Sequence, residues 1–420
     1  MRHPTALVLL ACLAAPLVGQ DWPTWRGPNG DGTTADRELP ESWSRDENVI
    51  WRTPLARPGN GSPIVASDAV FVTMAEDEEG KRRSLYCFDR NTGAERWVRT
   101  VEIDRVMPTH GTNPHCSTTP ATDGERVVVW HASAGLHCYD FDGEPLWEQD
   151  LGEFRHPWGH GTSPILWNGR VILHTGPGEE PFLAAFDLAT GEELWRTAEP
   201  DTRTPEQLEQ KRLWASFSTP IVVRHGERDL VLCGQPTRLV AYDASNGEIV
   251  FWCHGVSNAR GDLVYAAPLV WNDVCFVVGG YEGSTFAVRL GGEGDVTDTH
   301  RLWHRPDQFS CCASGMPVDG HFLVPEMGGF LQCIDATTGE PRWRRRVGRG
   351  ATWSSIVRVG DRLLLTTQSG ETCVFRADVE SFAVLHRNLL GEESNSTPAV
   401  AGDRIYLRTH AALYCIGTDG

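Results

Sequence analysis

The chain has 420 residues, with 38 Lys or Arg against 56 Asp or Glu, so its formal net charge at pH 7 is −18. This acidic balance argues against nucleic acid and anionic membrane surfaces as partners. Hydrophobic residues make up 40% and charged residues 22%, which is typical of a folded chain and excludes a disordered one. Because one hydrophobic core rarely serves so many residues, we expect several domains or an array of repeats.

The first residues have the pattern of an export signal. Arg2 precedes a short apolar run from Ala6 to Ala15 that is too short to span a bilayer. We predict a signal peptide over residues 1–20 and an exported protein, periplasmic or extracellular. Cys12 follows a lipoprotein-like Leu-Leu-Ala, but the apolar run before it is very short, so we expect no lipid anchor. No later stretch is long and apolar enough to be a transmembrane segment.

Residues 21–47 are interpreted as an extended N-terminal arm, because they precede the repeats described next. The arm carries Trp22 and Trp25, which we expect to pack on the domain that follows. Large aromatic side chains bury much surface when they dock in this way.

The tryptophans beyond the arm mark a repeat, since 16 Trp occur against only five Met. Each copy has an apolar run with a central Ala or Cys, then Asp, a turn with Gly, and a final Trp. Five copies and one degenerate copy end at Trp97, Trp147, Trp195, Trp252, Trp343 and, in the degenerate case, Trp303. The Asp can accept backbone hydrogen bonds in the turn and the Gly permits positive φ. Four short strands in roughly 40–50 residues are typical of a β-propeller blade.

The repeat predicts eight blades. Most units open with a small residue before Pro, as in Ser62-Pro63, and their starts lie near Gly61, Ser117, Gly161, Phe217, Val264, Ser314, Trp353 and Asn395. The eighth unit stops before its last strand, while Ile50-Trp51-Arg52-Thr53 copies the segment 194–197. We therefore predict an all-β, eight-bladed propeller of four-stranded antiparallel blades over residues 48–417, closed by an N-terminal strand that removes the open sheet edge. One helix is expected, from Thr204 to Leu213, as an insertion before the fourth blade.

These units resemble the pyrroloquinoline quinone (PQQ)-like repeat, and the resemblance covers residues 48–417. That repeat builds eight-bladed propellers of two kinds. One kind is the quinoprotein dehydrogenases, and the other is non-enzymatic, as in the BamB-like propellers of outer-membrane β-barrel assembly. The resemblance is specific for the fold and says little about function, because one fold carries many functions.

Most cysteines are interpreted as core residues. Cys87, Cys138 and Cys333 occupy the repeat position that Ala185 and Ala241 fill elsewhere, so they behave as small apolar side chains. The vicinal pair Cys311-Cys312 is different, since it lies in the loop that opens the sixth blade. Two free thiols and a vicinal disulfide both remain open for this pair.

A candidate ligand site follows from the fold, because the loops before the innermost strands converge on the propeller axis at one face. These loops are rich in His, aromatic and Cys residues, and concave convergent places are common ligand sites. The candidates are His110, Asn113, His115, Trp158, His160, Trp214, Tyr265, Cys311, Cys312, Trp353 and Asn395. The alternative is that these side chains only fill the axial channel. Three of the histidines, His110, His115 and His160, could ligate a transition metal, but their spacing fixes no geometry and no metal is assigned.

Two functions compete. We predict a non-enzymatic binding or assembly scaffold of the cell envelope, a monomer with an envelope protein or peptide as partner and with no cofactor or catalytic residue assigned. The alternative that the resemblance implies is a PQQ-dependent dehydrogenase with Ca²⁺. Such an enzyme needs carboxylates to hold Ca²⁺ and to abstract a proton, and the converging loops are nearly free of them. The same shortage counts against a glycoside-active propeller.

Overall fold

The chain forms the predicted eight-bladed β-propeller. The computed structural model describes residues 21–35, 38–210, 213–257, 261–309 and 311–418, so the predicted signal peptide over residues 1–20 lies outside the described residues. Eight blades follow one another around the ring in chain order, and each contains four neighbouring antiparallel strands. The first strands of blades 1 and 8, of blades 2 and 3, and of blades 5 and 6 contact each other, which places the first strands at the axis.

Each blade runs from its innermost to its outermost strand. Blades 1 to 4 contain the strands Ile64–Ala66, Ala69–Ala75, Arg82–Asp89 and Glu95–Glu102; Ala121–Thr122, Arg126–Trp130, Leu136–Asp140 and Pro145–Gln149; Ile165–Trp167, Arg170–His174, Phe182–Asp187 and Glu193–Ala198; Ile221–His225, Arg228–Gln235, Thr237–Asp243 and Ile249–Val256. Blades 5 to 8 contain Leu269–Trp271, Val274–Val278, Gly283–Arg289 and Arg301–Phe309; Met316–Val318, His321–Glu326, Phe330–Asp335 and Pro341–Arg346; Val357–Val359, Arg362–Thr366, Glu371–Arg376 and Val384–Leu389; Ala399–Ala401, Arg404–Arg408, Ala412–Ile416 and Val49–Pro54.

The last blade is closed by a strand from the other end of the sequence, as predicted. Val49–Pro54 pairs antiparallel with Ala412–Ile416 and places Trp51 opposite Cys415. The same pairing puts Trp97 opposite Cys87 and Trp195 opposite Ala185. A small residue faces the indole across the sheet, which explains why Cys and Ala exchange at this position.

The terminal tryptophans join neighbouring blades. The Nε1–H of Trp147 donates to the carbonyl oxygen of Leu188 at 2.9 Å, and its ring covers Gly191 in the turn of the next blade. A Cβ at Gly191 would lie 2.6 Å from that ring, and its φ is +75°. Trp147 therefore connects blades 2 and 3, and the glycine of the repeat turn has a steric reason as well as a conformational one.

A belt of hydroxyl groups links the innermost strands around the axis. The backbone N–H at the start of one blade donates to the Ser or Thr hydroxyl at the start of the next, at 2.9–3.0 Å. The acceptors are Thr119 for Ser62, Ser163 for Thr119, Thr219 for Ser163, Ser314 for Ala267, Ser355 for Ser314, Thr397 for Ser355 and Ser62 for Thr397. Because Ala267 has no hydroxyl, the belt is interrupted between Thr219 of blade 4 and Ala267 of blade 5.

The segment before the propeller crosses the axis. Trp22 bridges to Val65 in blade 1, and the N–H of Thr122 in blade 2 donates to Pro23. Further along, the buried Arg26 guanidinium donates to the carbonyls of Ser314 and Gly315 in blade 6. The strand Thr33–Thr34 then pairs in parallel with Val357–Val359 of blade 7. These contacts lie on opposite sides of the ring, so the segment covers one end of the axial channel.

Insertions account for the remaining elements. The predicted helix exists as Pro205–Glu209, where Thr204 and Gln207 form a capping box. It is shorter than predicted because Leu213–Ser216 pairs in parallel with Gly261–Val264. The degenerate repeat in blade 5 contains an unpredicted insertion, in which the strand Gly294–Asp295 extends blade 4 and the helix Thr297–His300 follows. Separately, a 3-10 turn in blade 2 spans Ala132–Ala134. Within the described ranges, neither α-helix is long and apolar enough to cross a membrane.

Candidate ligand site on the propeller axis

A cavity of about 420 Å³ lies on the axis, where the loops before the innermost strands converge. Trp25 from the crossing N-terminal segment lines it, as do six of the seven belt residues: Ser62, Thr119, Ser163, Thr219, Ser355 and Thr397. The lining residues are Trp25, Asn60, Ser62, His110, Thr112, Asn113, Ser117, Thr119, Trp158, Gly161, Ser163, Phe217, Thr219, Tyr265, Tyr281, Cys312, Met327, Trp353, Ser355, Asn395 and Thr397. A volume in this range is typical of small-molecule or side-chain binding pockets.

One side of the cavity is an aromatic wall. The rings of Trp158 and Tyr265 have centroids 6.4 Å apart, and Phe217 lies 5.4 Å from Tyr265. His156 packs edge-on against Phe217 at 5.3 Å, and burial lowers its pKa to about 4, so this ring is neutral at pH 7. Burial also raises the pKa of the Tyr265 phenol, which keeps it protonated. The wall therefore offers flat, uncharged ring surfaces.

The other side is built from three asparagines. Asn60 Nδ2 donates to the Thr112 carbonyl at 3.0 Å, and Asn113 Nδ2 donates to the Trp158 carbonyl at 2.7 Å. Asn395 Nδ2 donates to Asn60 Oδ1 at 3.2 Å. These bonds fix the three asparagines, which we call the amide wall. Oδ1 of Asn395 is different, because it has no hydrogen-bond partner within the part of the chain that the structure describes, and the residue is only 7% exposed. Such a buried unpaired acceptor is costly and needs an explanation.

The described lining is poor in charged side chains. None of the described residues that line the cavity is Asp, Glu, Lys or Arg, and His110 is the histidine among them. The cavity therefore lacks the paired carboxylates of a glycosidase and the carboxylate base of a dehydrogenase. A cation entering it would lose hydration with no described carboxylate to compensate.

The structure brings most, but not all, of the predicted site residues to this cavity. His110, Asn113, Trp158, Tyr265, Cys312, Trp353 and Asn395 line it. His115 and His160 instead line a separate cavity of about 20 Å³, which is close to the size of one water molecule. Trp214 lies in the strand Leu213–Ser216, where Arg203 stacks on its ring. Cys311 is fully buried and its thiol donates to the Ala313 carbonyl at 3.0 Å.

The three histidines considered for a metal are divided between the two cavities. His160 Nε2 donates to the Phe154 carbonyl at 2.7 Å, and burial lowers its pKa to about 3. Burial likewise lowers the pKa of His115 to about 4. Among the described residues no group of three or more His, Cys, Asp or Glu is arranged to hold a metal ion.

The vicinal cysteines are separate thiols in this structure, as are the other described cysteines. Burial raises the pKa of both Cys311 and Cys312, so neither is a thiolate at neutral pH. Cys312 contributes its half-buried side chain to the cavity wall.

Sequence reasoning missed several lining residues. Trp25 was expected only to pack on the domain, while Tyr281 and Met327 follow second strands, in loops that the repeat pattern does not single out. The belt hydroxyls did have a sequence signal, the Ser or Thr before Pro at the start of most units. That signal was interpreted only as the start of a strand.

The fold is an eight-bladed propeller of the PQQ-like repeat class, and no Asp, Glu, Lys or Arg of the described chain lines the cavity on its axis. The family model described as "Outer membrane protein assembly factor BamB" matches residues 81–325 and 327–415, and the chain belongs to this family. It is 25% identical over 380 residues to BamB of Burkholderia pseudomallei (strain K96243), covering 87% of this chain and 86% of that protein.

Dehydrogenases of the same repeat class are also similar. The chain is 22% identical over 384 residues to quinohemoprotein alcohol dehydrogenase ADH-IIG of Pseudomonas putida, covering 81% of this chain but only 50% of that protein. Among solved structures, the quinohemoprotein alcohol dehydrogenase of Comamonas testosteroni superposes with a TM-score of 0.66 at 12% identity, over 96% of this chain and 81% of that chain. At this identity the superposition shows the shared fold alone.

Proposed function

We propose that the protein is a non-enzymatic binding scaffold of the cell envelope, acting as a monomer, and that it holds an envelope protein or peptide at the axial cavity. The observation that carries this proposal is the composition of the cavity, which is concave and aromatic but has no Asp, Glu, Lys or Arg among the described lining residues. Such a surface can bind, but it has no carboxylate to act as a base, and the imidazole of its one histidine, His110, lies 2.8 Å from the Thr112 hydroxyl. The BamB relative, which matches over nearly its whole length, supports an assembly role.

The alternative is a quinoprotein dehydrogenase, which would hold PQQ and Ca²⁺ in the cavity. PQQ is a polyanion, and Ca²⁺ prefers six to eight oxygen ligands that usually include carboxylates. The described lining has no carboxylate for the metal, no Arg or Lys for the quinone, and asparagine donors that are already paired. The residues present do not fit this group, and we derive no catalytic step from it.

Site-specific photo-crosslinking in intact cells tests the scaffold proposal. A photoreactive residue at Thr112, which is exposed on the cavity rim, should crosslink to a defined envelope protein. The same residue at Glu193, which is exposed on the outermost strand of blade 3, is the matched control and should not. In parallel, PQQ and Ca²⁺ added to the purified protein should give no dye-linked alcohol oxidation. Turnover in that assay, or no partner at the rim, would contradict the proposal.

A further inference from the structure

The chemistry of the cavity restricts the part of a partner that enters it. Protein interfaces are usually anchored by Trp, Tyr or Arg side chains that fill a pocket on the other protein. An arginine would bring a charge into a space without any described carboxylate, so its lost hydration would not be recovered. The absence of a carboxylate from the described lining therefore selects Trp or Tyr among the three usual anchors.

The aromatic wall also favours a Trp or Tyr side chain as the anchor. Trp158, Phe217 and Tyr265 form a tilted cluster of rings with centroid distances of 5.4–6.4 Å. A further aromatic ring can pack against such a cluster edge-on or offset, and pairs of this kind add to the stability that comes from buried area alone. The cavity of about 420 Å³ leaves room for the flanking peptide backbone.

The hydrogen-bonding groups of the cavity indicate which polar group the bound aromatic side chain should carry. The Nδ2 groups of Asn60, Asn113 and Asn395 each make two hydrogen bonds as donors within the protein, so both N–H groups of each amide are already used. The amide wall does have an acceptor without a partner among the described residues, the buried Oδ1 of the lining residue Asn395, which a ligand reaches when that side chain turns towards the cavity. The belt hydroxyls that line the cavity each accept a backbone N–H, and none of their protons has a recorded acceptor in the described ranges. They can donate to a peptide carbonyl.

From these observations we infer that the axial cavity is an anchor pocket for an aromatic side chain that ends in a hydrogen-bond donor, a tryptophan or tyrosine of the bound protein. Its ring packs on Trp158 and Tyr265, and its N–H or O–H donates to Oδ1 of Asn395. The inference rests on the proposed scaffold function and names the part of the partner that the scaffold holds.

Ligand-observed NMR titration with small probes tests this ligand class on the whole protein. N-acetyl-tryptophanamide and N-acetyl-tyrosinamide should bind, while N-acetyl-argininamide and the neutral disaccharide cellobiose should bind at least about tenfold more weakly. The tryptophan probe methylated on its indole nitrogen keeps the ring but loses the donor. It should bind about fivefold or more weakly, because Asn395 stays unpaired.

Two matched variants locate the site. Trp158→Ala removes a ring from the cavity and should weaken the tryptophan probe by about tenfold or more. Trp214→Ala removes an equally half-buried ring outside the cavity and should leave binding unchanged. Circular dichroism melting of both variants checks that they fold. In Asn395→Ala the methylated and unmethylated probes should bind equally.

Three results would overturn the inference: preference for the arginine or sugar probe, equal binding of the methylated analogue to the unaltered protein, or equal losses in Trp158→Ala and Trp214→Ala. If the aromatic probes fail while a protein still crosslinks at Thr112, only the anchor assignment is wrong. If they bind but nothing crosslinks, the pocket chemistry stands and the scaffold function fails.

Discussion

Within the described chain, five blades have a turn glycine that makes room for the indole ring of the blade before it: Gly93, Gly143, Gly191, Gly247 and Gly339. At Gly191 a Cβ would lie 2.6 Å from the ring of Trp147, in a backbone with φ of +75°. We predict that Gly191→Ala lowers the free energy of unfolding by about 2–4 kcal/mol, because left-handed strain and overpacking add. Chemical denaturation measures this loss.

Gly169 provides the matched control for this prediction. Its φ is +71°, but nothing lies within 4 Å of its Cβ position. Gly169→Ala should therefore cost only the backbone strain, about 1–2 kcal/mol. Equal losses at the two positions would show that contact with the indole ring contributes nothing.

A buried ion pair between His174 and Glu199 lies outside the cavity, with Nε2 and Oε2 3.0 Å apart. Burial by itself lowers the pKa of His174, yet the pKa is raised from 6.5 to about 10 because the Cys233 sulfur and the Glu199 carboxylate favour its charge. Since the folded pKa is the higher one, the pair stabilises fully below pH 6.5, and this contribution is lost as pH rises through about 10.

His174→Gln should therefore reduce stability in a pH-dependent manner. At pH 6 we expect a loss of about 3–5 kcal/mol, because the Glu199 charge stays buried without its partner. The loss should shrink towards pH 10, as measured by urea unfolding at several pH values. His225→Gln, which breaks an exposed pair with Asp273, is the control and should change little. A loss that does not vary with pH would refute the assignment of charge to His174.

At the scale of elements, the hydroxyl belt fixes the innermost strands to one another. Thr119 is 2% exposed, and its hydroxyl accepts the Ser62 N–H at 2.9 Å. Thr119→Val should destabilise the protein by about 1–3 kcal/mol, because that buried N–H loses its acceptor. Thermal or chemical unfolding measures the change. Thr119→Ser keeps the hydroxyl, as Ser163 does in the next blade, and should retain most of the stability; a similar loss in both variants would contradict the belt's role.

The sequence repeat predicted the strands of the regular blades but not the inserted segments. The pattern of apolar run, Asp, Gly and Trp recurs because each blade makes the same contact with its neighbour, so it is visible without a structure. The segment that contains Gly294–Asp295 and Thr297–His300 has no counterpart in other blades. Its extra strand pairs with Phe251 and Trp252 of blade 4. Because this pairing joins two blades, the local sequence pattern of one blade does not predict it.

At the scale of the whole molecule, one strand closes the ring. A chain that starts at residue 55 lacks Val49–Pro54 and exposes the edge of Ala412–Ile416. We predict that it aggregates or unfolds without a cooperative transition, as measured by calorimetry and light scattering. A chain that starts at residue 38 keeps the closing strand and loses only the crossing segment. It should fold cooperatively, with a lower melting temperature; a cooperative transition in the shorter chain would contradict closure as a stability requirement.

The candidate site was predictable in part for a reason of topology. Every loop that precedes an innermost strand must reach the same end of the axis, so residues such as His110, Tyr265 and Asn395 could be named from their place in the repeat. Trp214 was placed there too, but its segment pairs with Gly261–Val264 instead. Trp25 could not be named, because the path of a segment across the axis depends on contacts with four different blades.

The sequence by itself determined the fold, the number of blades and the strand that closes them, because these follow from a repeated local pattern and its missing last strand. It also indicated that carboxylates are scarce on the axis. Only the tertiary structure decided which side chains share the cavity, that Trp25 of the crossing segment is among them, and that Oδ1 of Asn395 has no partner among the described residues. These features depend on distances between residues far apart in the chain, and such distances are set by the packing of the closed ring.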